Sequence, residues 1–484
     1  MSHPAFDLAA SAHDEMIHEG FDPDFSPAAQ QQATDLARRP AATPDGALRD
    51  LRDRLWSSID NDTSRDLDQI EVAQRAPDGI LLSIGIADVD GAVPIGSPID
   101  HHAAAQTTTV YTPARTFPML PEALSTDLTS LCPQCDRAAT VIEMLIAADG
   151  SISSSNIYRA LVRNRFQLTY NGVGPWLEGT AAPPAKIAAS PDLQSQLKLQ
   201  DEAAGHLRER RHRLGALNFD RIEAEPVVAD GQVREIVARR KNRASDLIED
   251  FMVAANEVMA QTLSRAGTTS IRRVVKTPER WPRIVELAAQ LGFKLPAEPD
   301  SAALATFLQQ QKQNDPDHYP DLSLSVIKLM GPGEYVLARP GDPTPGHFGL
   351  AAHDYTHSTA PNRRFADLVT QRLIKSTLAK QPAPYSENDL AQIAQNCTLR
   401  EDAAREVERT MGKRAAAVAL RNRIGQSFVG IVTGVTPKGV FVRVLNPPVE
   451  GRLMRGEQGV DVGDRIHVTL LRTDPQRGWI DFGR

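Results

Sequence analysis

Cysteine is scarce: three residues in 484, of which Cys132 and Cys135 form a CxxC and Cys397 stands far away. Three thiols cannot build a disulfide framework, and one CxxC without a second pair is a poor zinc site, so both schemes are set aside. Long apolar runs are missing as well. No stretch reaches the ~20 residues of a membrane span, and the acidic opening MSHPAFDLAASAHDEM lacks the basic start and apolar core of a secretion signal. A cytoplasmic protein without a membrane partner is expected. Positive charge is not in excess either: the net charge is −7, which argues against binding nucleic acid over the whole surface. Its distribution is uneven, however. Residues 1–58 hold ten acidic and five basic side chains, and residues 421–484 hold ten basic and six acidic. The C-terminal end is the electropositive one.

The chain has room for two or three domains. Residues 1–56 show weak helical patterning interrupted by prolines and predict short helices joined by loops, with no readable role. From Gly79 the run GILLSIGIADV has the aliphatic, β-branched character of a central strand. Residues 244–266 place Leu247, Ile248, Phe251, Met252, Ala255, Val258, Met259 and Leu263 at helical spacing, the pattern of a helix docked on a core. Residues 365–379 and 387–421 read as two further helices, the second heavily charged and half exposed. Between residues 292 and 320 the composition turns to Pro, Gln and Asp and suggests a variable insertion. Beyond Gly425, short β-rich runs alternate with Gly, Pro, Asn and Asp turns, as in a small all-β barrel of about 60 residues. The expected fold is α+β: a helical segment (1–56), a mixed-sheet domain with packed helices (57–422), and a barrel (423–484).

Just before the first strand, SIDNDTSRDLDQIEV places Asp60, Asp62, Asp66 and Asp68 within nine residues. Crowded carboxylates raise one another's pKa, so a cluster left without positive charge is costly. A calcium helix-loop-helix would use Asp60, Asp62, Ser64, Asp68 and Glu71, but its sixth position needs glycine and holds Arg65. A solvated acidic loop is the bland alternative. A magnesium site is the third, because Mg²⁺ takes oxygen ligands from a few carboxylates together with substrate phosphate. Two such ions would activate a water and steady the leaving oxygen of a phosphodiester.

The second charged constellation is YTHSTAPNRRFADLVTQR, residues 355–372. Arg363 and Arg364 follow a proline-fixed turn and open a helix, a geometry that presents guanidiniums and free amides to a phosphate or an oxyanion. The alternative is that both arginines merely pair with nearby acids such as Asp354 or Asp367. Tyr355 and His357 beside them favour a binding role. In the basic tail, Phe428, Phe441, Trp479 and Phe482 offer stacking faces, of which one or two are expected to be exposed, and Lys438, Arg443, Arg452, Arg455 and Arg465 can follow a phosphate backbone.

Taken together, these motifs resemble the RNase II and RNase R family of 3′ to 5′ exoribonucleases. IDNDTSRDLDQ (59–69) is similar to its aspartate loop. IADV (86–89), the stretch from Tyr111 through PMLPEALSTDLTSL (118–131), LIEDFMVAANEVMA (247–260) and YTHSTAPNRR (355–364) follow in the family's order, and the C-terminal barrel is similar to its OB-fold RNA-binding module. The resemblance implies a magnesium-dependent hydrolase of single-stranded RNA, with Mn²⁺ a possible substitute. Asp60, Asp66 and Asp68 would hold the metal and Arg363 would stabilise the scissile phosphate, these four being the catalytic set. Tyr111 would stack near the RNA 3′ end, and Tyr355, His357, Arg364, Phe441 and Arg443 would line the RNA path. A glutamate of the late helix, Glu401 or Glu408, would assist. No protein partner is readable and a monomer is expected. Four departures bear on function, one being Arg273, Val274 and Val275 before Pro278 where the family often shows R-x-H ahead of a proline. Gln69 stands where the family has a further aspartate, so a fourth metal position keeps a carbonyl but no charge. Ala360 replaces a serine, and residues 1–56 are too short for two cold-shock barrels. An RNA-binding regulator that has lost catalysis through Gln69 is the rival reading.

Overall fold

The strand run around Gly79 and the alternating segment after the aspartate loop lie side by side at the centre of a seven-stranded sheet. A computed structural model describes residues 6–38, 48–220, 223–229, 232–316, 318–343, 345–437 and 439–484, so Lys438 lies outside the described residues. The sheet runs, in spatial order, Arg49–Asp50, Ile152–Arg163, Asp136–Ile146, Gly79–Ala87, Gln69–Ala76, Ser57–Asp60 and Phe166–Thr169. Its inner pairs are antiparallel and its two outermost pairs are parallel. Ile80, Leu82, Ile84 and Ile86 are fully buried or nearly so. The alternate positions on that strand are mostly buried too, because helices cover the sheet and leave no wet face in its middle.

The helix Arg243–Arg265 lies over this sheet, with Leu247, Phe251, Ala255, Val258 and Leu263 in the common core. It starts in a capping box in which the Asn242 side chain accepts the Ser245 N–H and Ser245 Oγ returns toward the Asn242 N–H. The helix Phe365–Leu378 is buried along ten consecutive residues, from Phe365 to Ile374. Its polar members are therefore paired: Arg372 reaches Asp90 at 3.0 Å and Asp100 at 2.8 Å. The long helix Glu387–Leu420 buries Leu390, Ala394, Cys397, Val407 and Met411 on one side and keeps its charged side in solvent, half exposed as its composition predicts.

Two short N-terminal helices form, Leu8–His18 and Pro27–Ala37. Leu8, Ala12 and Met16 pack with Val407 and Met411 of the long helix and with Val110 and Phe117. The stretch read as an insertion is helical: Ser301–Asn314 and Tyr319–Met330, with Trp281–Gln290 before them, enclose a separate core of Trp281, Leu304, Phe307 and Tyr319. Leu304, Phe307 and Leu308 carry the helical spacing there, masked in composition by the surrounding glutamines.

The C-terminal strands Ser427–Thr436, Gly439–Leu445, Pro448–Arg455, Arg465–Asp474 and Trp479–Gly483 close into a five-stranded barrel. Gly430 is required where two strands cross closely, since a Cβ there would lie 2.6 Å from Val442 Cγ1.

Candidate active site

The aspartate loop leaves the sheet at Asp60 and re-enters it at Gln69, so a two-strand frame fixes both of its ends. Each carboxylate in it meets a different environment. Asp60 Oδ1 accepts the Asn61 N–H at 2.7 Å and the Ser64 hydroxyl at 2.9 Å. Exposed Asp62 accepts from Asn171. Asp66 accepts the Tyr111 hydroxyl at 3.1 Å. Asp68 is completely buried and accepts the Asn362 N–H at 3.0 Å and Arg363 Nε at 2.7 Å. Burial pushes its carboxyl up to about 6, against the opposing pull of the Arg363 guanidinium and the Asn362 amide.

The turn that opens the helix Phe365–Leu378 thus presents an amide and a guanidinium to an anion, as its sequence suggests, and the anion it receives is Asp68. Arg363 uses Nε for this bond and its side chain remains 37% exposed, so the outer edge of the fork borders a cavity of about 330 Å³. Asp60, Gln69, Tyr170, Glu249, Asn256 and Tyr355 border the same cavity. Arg364 does otherwise. It forms two 2.8 Å bonds to Asp367, three residues along, and borders the same cavity. Among the described residues the one trio of acidic or histidine ligand atoms within 4.8 Å is Glu15, His18 and Glu19, at the end of an N-terminal helix. Asp60, Asp66 and Asp68 are wider apart than that.

Family comparison locates this arrangement. A profile of the RNB domain matches residues 48–380, and one of the RNase II-type exonuclease C-terminal S1 domain matches residues 426–484. The chain belongs to the RNB family. Ribonuclease R of Aquifex aeolicus is 30% identical over 461 residues, covering 90% of this chain and 64% of that protein. Ribonuclease R of Escherichia coli is 29% identical over 499 residues, covering 94% and 59%. The chain therefore spans about three-fifths of the length of these relatives. In fold it is similar to Mycoplasma genitalium RNase R solved with ribose-methylated single-stranded RNA, with a TM-score of 0.88 at 24% identity over 99% of this chain and 78% of that one. It is also similar to yeast Ssd1, described as a pseudonuclease, with a TM-score of 0.75 at 18% identity over 96% and 58%.

Within this RNB chain the residues read as RNA contacts fall into two groups. Tyr111 is 44% exposed, on the two-residue strand Val110–Tyr111. Its backbone N–H is held by Glu408 Oε1 at 3.1 Å. Glu408 is thereby next to the site, whereas Glu401 accepts a two-pronged bond from Arg273 at 2.5 and 2.8 Å. Phe441 is half-buried and borders a groove with exposed Trp479, Arg452 and Arg472. The other group is turned inward. Tyr355 is buried, and its hydroxyl accepts from Asn256 at 3.2 Å. Half-buried His357 bonds the Tyr335 hydroxyl through Nδ1 at 2.7 Å, and burial with Arg364 and Arg273 holds it well below its usual pKa. Arg443 pairs with Asp321 of the helical insertion. His357, Arg364 and Arg443 each have an intramolecular partner, in Tyr335, Asp367 and Asp321, and Arg364 also borders the cavity beside Arg363. In the barrel, Phe428 and Phe482 are core while Trp479 is 50% exposed.

One residue that the sequence offers only for the calcium alternative also lies at the site. Glu71 is 0% exposed and neither of its carboxylate oxygens has a partner. Burial, with the like charge of Asp60 added, holds its carboxyl well above the ordinary value. The trace in sequence is an acidic residue between Ile70 and Val72, two places after Gln69 on the same strand.

Proposed function

We propose that this chain is a magnesium-dependent hydrolytic 3′ to 5′ exoribonuclease that degrades single-stranded RNA processively to nucleoside 5′-monophosphates. The observation that carries the proposal is the anion-binding turn at Asn362–Arg363, locked to the aspartate loop through Asp68 beside an open cavity, in a chain of the RNB family. The residues fit a hard divalent cation. All donors are oxygens, four aspartates fall within nine residues of the loop, and each Asp68 oxygen keeps a second lone pair besides its hydrogen bond. Asp60, Asp66 and Asp68, with the Gln69 carbonyl, would hold it. Bound there, Mg²⁺ or Mn²⁺ would supply Lewis-acid stabilisation of phosphate charge and a water of lowered pKa.

The chain's own groups do the rest. The free edge of Arg363 binds the non-bridging oxygens of the last phosphodiester and gains strength as their charge grows. Tyr111 stacks on RNA near its 3′ end, and its bonds to Asp66 and Glu408 fix where the strand stops. Water attacks phosphorus in line, the bond to the 3′ oxygen of the penultimate nucleotide breaks, and that oxygen leaves as a hydroxyl. Exposed Trp479 with Arg452 and Arg472 gives the barrel a stacking and phosphate-tracking face.

Purified protein with 5′-labelled poly(A) and Mg²⁺ tests this: a ladder shortening to a small end product, abolished by Asp68→Asn, supports the enzyme. Intact RNA shifted in a gel by both wild type and variant would instead favour the regulator reading that Gln69 raises. Single-stranded DNA and a duplex with a 3′ overhang, run in parallel, define the substrate class.

A further inference from the structure

We propose that Glu71 is a carboxylate of the cation site, supplying from the next rung of the same strand the negative charge that Gln69 does not. This deepens the metal-dependent reading above and rests on it. Gln69 and Glu71 are two residues apart on the strand Gln69–Ala76, so their side chains leave the same face of the sheet, about 7 Å apart along the chain. Gln69 already borders the cavity with Asp60.

The surroundings of Glu71 are those of a ligand in search of a cation. It is fully buried, and both carboxylate oxygens lack a hydrogen-bond partner. Directly across the sheet stands Ser57, whose buried hydroxyl is also unpartnered. Above it, Gln200 of the helix Pro191–Arg213 gives its Nε2 to the backbone oxygen of Glu71 at 3.4 Å, not to the carboxylate, and leaves its own Oε1 without a partner. The charged group that faces Glu71 is Asp60, a like charge. The guanidinium of the site, Arg363, is committed through Nε to Asp68. A buried carboxylate with neither donor nor counter-charge is among the costliest arrangements in a folded chain. The unpartnered atoms there, the Ser57 hydroxyl, Gln200 Oε1 and the two Glu71 oxygens, are all oxygens, which hard divalent ions prefer. Neutral Gln69 at one rung and acidic Glu71 at the next keep the charge of the site while moving it deeper along the strand.

Titration of the full-length, EDTA-treated protein with Mn²⁺ alone, by calorimetry and by the EPR signal of free Mn²⁺, tests the assignment. Glu71→Gln should weaken Mn²⁺ uptake by roughly tenfold or more, or remove one equivalent, with the circular dichroism and cooperative unfolding of the metal-free protein retained. Gln mimics a protonated glutamic acid in shape and bonding, so a merely structural Glu71 predicts wild-type Mn²⁺ affinity in Glu71→Gln. That result would overturn the proposal. Should Glu71→Gln fail to fold, Gln69→Asp/Glu71→Gln takes its place: uptake restored to within about threefold of wild type supports a charge shared between the two rungs, and uptake still lost in a folded double variant counts against it. Wild-type protein that takes up no Mn²⁺ at all defeats the metal-dependent reading, and this proposal with it. Normal uptake in wild type and Glu71→Gln alike defeats only the assignment of Glu71.

Discussion

Removing the Arg363 guanidinium should destabilise the chain in a way that depends on pH, because its partner Asp68 has no exposure to water. In Arg363→Ala the carboxyl keeps only the Asn362 N–H. It then has two options. Staying ionised and unpaired costs about 3–5 kcal/mol. Taking a proton costs less: with the wild-type carboxyl at about 6, neutralising it at pH 7.5 costs about 2 kcal/mol, since each pH unit above the pKa is worth about 1.4 kcal/mol. The variant therefore protonates Asp68, and its loss of stability is about 2 kcal/mol at pH 7.5. The sign follows from linkage. A carboxyl raised further above its unfolded value contributes stability that is fully present below the unfolded pKa and is lost as pH rises through the folded one. The penalty should accordingly shrink toward zero near pH 5.5. Urea unfolding followed through Trp56, which is fully buried in the same core, measures it at the two pH values. In an Asp68→Asn background the same arginine deletion should cost less than about 1 kcal/mol, since no buried charge is left behind. Turnover of poly(A) by Arg363→Ala should fall about 10²–10³-fold, the usual effect of removing one preorganised donor to a developing anion. An equal stability loss at both pH values, or in both backgrounds, would refute the claim that Arg363 is the counter-charge of Asp68.

Further outcomes follow from the same geometry. Gln69→Asp restores a charge on the cavity wall and should raise poly(A) turnover at limiting Mg²⁺ by roughly tenfold; unchanged turnover and metal dependence would mean that position 69 is not a ligand. Tyr111→Ala should lengthen the final oligonucleotide on a denaturing gel and weaken RNA binding by about 1–3 kcal/mol, the worth of one stacked base. His347 accepts the Leu350 N–H at Nδ1 and packs edge-on to Tyr355 at 5.4 Å, and burial with Arg273 nearby lowers it to about 4. A depressed base contributes stability that is present above its unfolded pKa of about 6.5 and is lost as pH falls through 4, here about 3 kcal/mol, so His347→Gln should flatten the acid limb of the urea midpoint against pH.

The parts of this fold that were legible in sequence are those in which one period governs a whole element. The helix Arg243–Arg265, the central strand Gly79–Ala87 and the closing barrel each bury what their apolar spacing predicts. The aspartate loop and the arginine turn were legible as charge looking for a partner. Their mutual partnership was not: Asp68 and Arg363 are 295 positions apart, and only the fold brings them together. The same limit hid the partners of Arg443 and His357. A charged or aromatic residue in a basic tail or a turn looks available until the chain supplies Asp321 or Tyr335 from another element. Helical periodicity in the residues before Pro320 was hidden by composition, because Gln and Asp mask the spacing of Leu304, Phe307 and Leu308.

The crowding of like charge that marks residues 60–68 resolves into a graded arrangement. Asp62 is exposed and bonded to an amide, so water screens it. Asp66 has a phenol, whose own acidity is suppressed by burial, as its donor. Asp68 has the guanidinium and a turn amide, and by holding them it fixes the distance between the loop and the helix that carries Arg363. Asp60, with Glu71 behind it, has backbone and hydroxyl donors on one side and a second carboxylate on the other. The direct ion pair is thus at the loop's C-terminal end, at Asp68, while Asp60 at the N-terminal end borders the cavity with only neutral donors on its carboxylate. An acidic site that repelled itself uniformly would simply open. One that is anchored by an ion pair at one end and leaves an unpaired carboxylate at the cavity stays rigid while keeping a place for a divalent ion and the phosphate it would accompany, which is the combination a phosphodiester hydrolase requires.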